Sequence, residues 1–71
     1  MGEVNVHECA KVGAGSYLET GVVIEANSTV NGSIIGEKTH VESDVFIENS
    51  YIAPGTRVIS GSEIRGEIFG F

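Results

Sequence analysis

Residues 30–46 read VNGSIIGEKTHVESDVF, and residues 47–63 read IENSYIAPGTRVISGSE. These are two copies of one 17-residue unit, with an aliphatic residue at the first, sixth and twelfth positions: Val30, Ile35 and Val41, then Ile47, Ile52 and Val58. The fourth position is serine in both, Ser33 and Ser50. The register continues outward in both directions. Toward the N-terminus the aliphatics fall at Ile24, Leu18, Val12 and Val6, in steps of six. Toward the C-terminus they reach Ile64 and then Phe69. Three steps are five residues long, those ending at Ile35, Ile52 and Phe69.

A six-residue period matches neither an amphipathic helix at 3.6 nor an alternating strand at 2. It matches very short strands joined by sharp turns, three strands to a coil. Small or β-branched residues follow by four positions each aliphatic that opens a six-residue step: Ala10, Ser16, Val22, Ser28, Thr39, Val45, Thr56 and Ser62. They supply a second inward position per strand. The residue before each is commonly glycine, asparagine or aspartate (Gly15, Gly21, Asn27, Asp44, Gly55, Gly61), types that tolerate a left-handed corner. Cys9 and Lys38 occupy the same slot and fit it less well. A β-sandwich with regular turns is the competing architecture, but its strands are longer than this spacing allows.

The segments VGAGSY, LETGVV, IEANST, IGEKTH, VESDVF and IAPGTR resemble the hexapeptide-repeat proteins, over nearly the whole chain. The resemblance implies an all-β fold: a left-handed parallel β-helix of about three and a half to four coils, spanning residues 1–71 as a single domain. The left hand comes from the resemblance alone, because spacing carries no handedness. VNGSIIGEKTHV and ENSYIAPGTRV are also similar to the C-terminal β-helix of sugar-nucleotide pyrophosphorylases. In that family nucleotidyl transfer belongs to a separate N-terminal domain, so only an assembly or regulatory role is implied. The ends of such a prism need covering; MGEVNV, and GEIFGF with Phe69 or Phe71, are the candidate plugs.

Composition narrows the function. A 71-residue chain buries only about 60% of its unfolded surface and is marginal alone. One cysteine allows no internal disulfide, so self-association is the expected source of added stability. A net charge of −6 argues against nucleic acid and against an anionic membrane surface. No apolar run approaches a membrane span of roughly 20 residues. No signal peptide pattern opens the chain, and a cytoplasmic setting is expected.

The five-residue steps single out one of three faces. With Ser16, Ser33 and Ser50 pointing inward, Tyr17, Ile34, Tyr51 and Ile68 point outward and stack at 17-residue intervals. Gly36 and Ala53 lie across the strand from this column and are expected to keep it flat. The six residues form the expected oligomer interface, since an exposed apolar strip marks a contact surface. In the alternative, Ile34 and Tyr51 point inward and the serines sit in the turn. The partner expected is a second copy of the chain, as the homotrimer common among hexapeptide-repeat proteins or as a two-fold dimer.

The candidate catalytic residue is His40. Hexapeptide acyltransferases use a histidine base between adjacent prisms, so the resemblance admits a minimal acyltransferase or ligand-binding protein centred there. Such enzymes carry the base near a projecting loop, and this chain has none. A solvated surface histidine is the simpler reading. His7 and His40 are the candidate metal ligands, with Cys9 considered beside them. The family's trimeric zinc enzymes share three histidines between subunits, whereas this chain has two, about two layers apart. Cys9 has no neighbouring base in sequence to activate it. Glycine-containing turns such as GAGSY precede no helix and do not form phosphate loops. No cofactor is expected. The leading expectation is a non-catalytic scaffold or oligomerisation module.

Overall fold

The computed structural model describes residues 4–70. Among them there is no helix, and twelve short strands form three parallel sheets. Sheet A contains β1 (Asn5–Val6), β4 (Val23–Ile24), β7 (His40–Val41) and β10 (Arg57–Val58). Sheet B contains β2 (Lys11–Val12), β5 (Thr29–Asn31), β8 (Phe46–Glu48) and β11 (Glu63–Arg65). Sheet C contains β3 (Tyr17–Leu18), β6 (Ile34–Ile35), β9 (Tyr51–Ile52) and β12 (Ile68–Phe69). Each strand pairs with the strand three further along the chain, so three strands make one coil and the solenoid has about four. This is the expected parallel β-helix. All pairings are parallel, which excludes the β-sandwich, whose hairpins would pair antiparallel.

The register places like on like. Val6, Ile24, Val41 and Val58 stack in sheet A; Val12, Val30, Ile47 and Ile64 in sheet B; Leu18, Ile35, Ile52 and Phe69 in sheet C. The middle coils bury these side chains completely, with Val22 and Val45 beside them. Ser28 and Thr39 are also buried and satisfy their hydroxyls on backbone carbonyls, Ser28 on Glu42 and Thr39 on Ala53.

The corners follow the residue types. Asn27, Lys38 and Asp44 take positive φ near 60°, as do Gly15, Gly21, Gly55 and Gly61 at somewhat larger angles. Lys38 therefore adopts the left-handed corner despite its side chain. The shortened steps use a further corner, at Gly32, Asn49 and Gly66, also at positive φ. The following serines turn inward: Ser33 and Ser50 are buried. Ser33 Oγ donates to the Asn31 carbonyl at 2.8 Å and accepts from the Ser50 N–H at 3.0 Å. Ser50 Oγ donates to the Glu48 carbonyl at 2.8 Å and accepts from the Glu67 N–H at 3.1 Å. A column of hydroxyls thus joins successive coils and fixes which neighbour of each serine faces out.

The two ends differ. In the last coil Val58 and Ile64 remain 0% and 2% exposed, and Phe69 packs partly buried against the core. Phe69 is the last inward residue of sheet C, in register with Ile52, rather than a separate cap; Phe71, the other candidate plug, lies outside the described residues. In the first coil Val6 and Val12 point inward yet are 40% and 38% exposed. The described part of the expected N-terminal plug does not cover them, since Val4 is itself 41% exposed; the rest of that plug lies outside the described residues.

Candidate functional site

Sheet C carries the expected column. Its strands place Tyr17 beside Ile34, Ile34 beside Tyr51 and Tyr51 beside Ile68. Tyr17, Ile34 and Ile68 are exposed, and Tyr51 is half-buried. The orientation follows from the buried serines: strand residues alternate sides, so an inward Ser33 and Ser50 put Ile34 and Tyr51 outside. The alternative, with Ile34 and Tyr51 inside, does not occur.

Gly36 and Ala53 behave differently from expectation. Both are buried and add no open surface to the column. The cause is close approach between coils. A Cβ on Gly36 would lie 2.5 Å from Pro54 N and 2.8 Å from both Ala53 C and Ile52 O. The backbone of the next coil closes over Gly36, whose N–H donates to the Ile52 carbonyl at 2.7 Å. Their contribution to sheet C is the spacing of its strands.

Sheet A carries the polar chemistry, arranged diagonally. His40 Nε2 contacts a carboxylate oxygen of Glu25, one layer below. A carboxylate only accepts, so Nε2 holds the proton. The other Glu25 oxygen accepts from Ser43 Oγ at 3.3 Å. One layer up the pattern repeats: Arg57 Nε donates to Glu42 at 2.6 Å, and the Ser60 N–H donates to the other Glu42 oxygen at 3.0 Å. The Ser60 N–H, and then the Arg57 guanidinium, hold the Glu42 carboxyl below its usual 4.5. The diagonal partnership was not read from the sequence, because the offset arises only once coils stack. Sheet B's outer face is mostly polar, with the Arg65 guanidinium 4.8 Å from the centre of the Phe46 ring.

His40 is half exposed, paired with Glu25, and does not line a surface groove of about 520 Å³ that is bounded by Val6, His7, Val23 and Glu25 near the open end. His7 Nδ1 accepts from the Cys9 N–H at 3.0 Å, and Cys9 is an exposed free thiol. The two histidines sit two layers apart on sheet A. No group of three or more metal-ligating side chains occurs among the described residues. Among them, too, no helix is long and apolar enough to cross a membrane.

Compared with protein-family models, with curated proteins and with solved structures, the chain finds no significant match.

Proposed function

We propose that this chain is a non-catalytic oligomerisation or scaffold module of the hexapeptide-repeat type, which self-associates side by side through sheet C. The observation that carries the reading is the continuous column Tyr17, Ile34, Tyr51, Ile68. Tyr17 and Ile68 are 61% and 72% exposed on a flat sheet. Fully burying a large apolar side chain is worth about 1.5–3 kcal/mol, and a marginal 71-residue fold gains directly from it. A homotrimer is favoured by the family resemblance, which also implies the left-handed coil. A two-fold dimer through the same column is the other closed arrangement. The acyltransferase reading, centred on His40, is less favoured because the imidazole is occupied by Glu25 on an open face. The exposed free thiol of Cys9 fits a reducing, cytoplasmic setting.

The test is solution mass by light scattering for the wild type and for Ile34→Glu and Tyr51→Glu. Self-association of the wild type, lost or weakened in both variants with the strand content retained by circular dichroism, is the expected result. A monomeric wild type, or an assembly indifferent to both substitutions, overturns the proposal.

A further inference from the structure

The first coil leaves a second surface unaccounted for. Its strands β1, β2 and β3 are the outermost members of their sheets. Their hydrogen bonds run upward: Asn5 and His7 donate to the carbonyls of Val22 and Ile24, Lys11 and Gly13 to Ser28 and Val30, Tyr17 and Glu19 to Ser33 and Ile35. Backbone polarity alternates along a strand, so the N–H and C=O of Val6, Val12 and Leu18 face out of the end of the prism. The side chains of Val6 and Val12 are exposed there despite pointing at the core axis. Among the described residues the end thus combines open strand edges with an apolar centre that none of them covers, the combination that recruits another strand.

We infer that this end binds a second copy of the chain, head to head, about a two-fold axis perpendicular to the solenoid. Three observations choose this occupant. First, the apolar centre of the opposite end is covered, with Val58 and Ile64 0% and 2% exposed, although strand edges are open at both ends. Head-to-tail stacking, which would grow a filament, therefore offers Val6 and Val12 no exposed apolar counterpart, whereas a two-fold contact sets them against their own kind and stops. Second, the strand positions of the open end are electrically balanced in a chain of net charge −6, and the exposed corner between β1 and β2 adds Glu8 alone. The outward residues flanking Val6, Val12 and Leu18 are Asn5, His7, Lys11, Gly13, Tyr17 and Glu19, with one cation and one anion. The matching positions of the third coil include Glu42 and Glu48 and neither lysine nor arginine.

Third, the edge is self-complementary. The coil climbs as it turns, so the two-fold that keeps one interstrand gap on all three faces passes through β2. Val12 then faces Val12 of the second copy, and Val6 faces Leu18. Antiparallel pairing lets each such pair exchange two backbone hydrogen bonds. Asn5 falls opposite Glu19, His7 opposite Tyr17 and Lys11 opposite Gly13, so no like charges meet.

This contact shares Tyr17 with the sheet C column, otherwise uses different residues, and holds whether or not that column associates. It doubles whatever assembly sheet C makes. The test is the mass of the wild type and of Val12→Asp, with amide hydrogen exchange on the wild-type chain across a dilution series. Val12→Asp is expected to halve the mass while Ile34→Glu leaves a head-to-head dimer. The Val6 and Val12 amides are expected to exchange about tenfold or more slowly at high concentration than after dilution. An unchanged mass for a folded Val12→Asp chain overturns the inference. Exchange at Val6 and Val12 that does not depend on concentration overturns it too, and that readout stands if the variant fails to fold.

Discussion

Replacing Gly36 with alanine tests whether the coils are held at a distance that only glycine permits. Gly36 is buried, and its φ is not in the left-handed region, so any penalty is steric. The new methyl would sit 2.5 Å from Pro54 N and 2.8 Å from Ala53 C and Ile52 O, all backbone atoms. Carbon contacts are comfortable at about 3.5–4.0 Å, so the coils must part by about 1 Å. That separation would stretch the Gly36 N–H to Ile52 hydrogen bond, now 2.7 Å. Overpacking costs about 1–3 kcal/mol, and weakening one hydrogen bond adds about 1 kcal/mol. The expected loss is about 2–4 kcal/mol, against a total stability of about 4–11 kcal/mol for a chain this size.

Two other glycines separate the possible causes. A Cβ on Gly13 meets the side-chain amide of Asn31, which can swing away, so Gly13→Ala should stay within about 0.5 kcal/mol. Gly55 has φ +73° and open space around it. Gly55→Ala should cost about 1–2 kcal/mol from backbone conformation alone. Urea unfolding followed by circular dichroism, at one fixed protein concentration because association shifts apparent stability, gives the three values. The reasoning is refuted if Gly36→Ala is as mild as Gly13→Ala, or no worse than Gly55→Ala.

Ser33→Ala should destabilise by about 1–3 kcal/mol, because it strands the buried Ser50 N–H. Ser50→Ala should cost less, since the Glu67 N–H it serves lies nearer solvent; the difference in urea midpoints checks the order. Lys38→Gly should raise stability by up to about 1 kcal/mol in thermal or urea unfolding, because Lys38 holds φ 61° at an exposed corner. Glu42 has a folded pKa below its usual 4.5. Its contribution is therefore fully present above pH 4.5 and disappears as pH falls through the folded value. Wild-type stability should drop more steeply below pH 4.5 than that of Glu42→Gln; parallel acid-unfolding curves would contradict this.

Much of the fold was readable because a solenoid repeats its reasons. Each inward aliphatic recurs at five or six residues, and each corner recurs just before the next strand, so one register error would have been visible elsewhere. The sheet C column was legible as one of two readings, and the burial of Ser33 and Ser50, which puts Ile34 and Tyr51 on the opposite side, selected it. The corners at Gly32, Asn49 and Gly66 were missed. Their signal was present, a glycine or asparagine just ahead of the position occupied by Ser33, Ser50 and Glu67, but the five-residue step drew attention to the aliphatics. Gly36 was misplaced for a different reason. A glycine's absent side chain looks the same in sequence whether it keeps an outer face flat or admits the backbone of the next coil.

The sequence by itself determined the period and the three columns of core residues, which are properties of spacing. It left two sides open for Tyr17, Ile34, Tyr51 and Ile68, and the burial of Ser33 and Ser50 chose the outer one. Tertiary structure alone decided how adjacent coils meet. It paired His40 with Glu25 and Arg57 with Glu42, buried Gly36 under Ala53 and Pro54, and covered Val58 and Ile64 in the last coil while leaving Val6 and Val12 exposed in the first. Those outcomes depend on distances between segments some 15 to 18 residues apart, which no local pattern specifies. The 17-residue unit at residues 30–63 builds the wall; stacking sets which of its surfaces stay exposed.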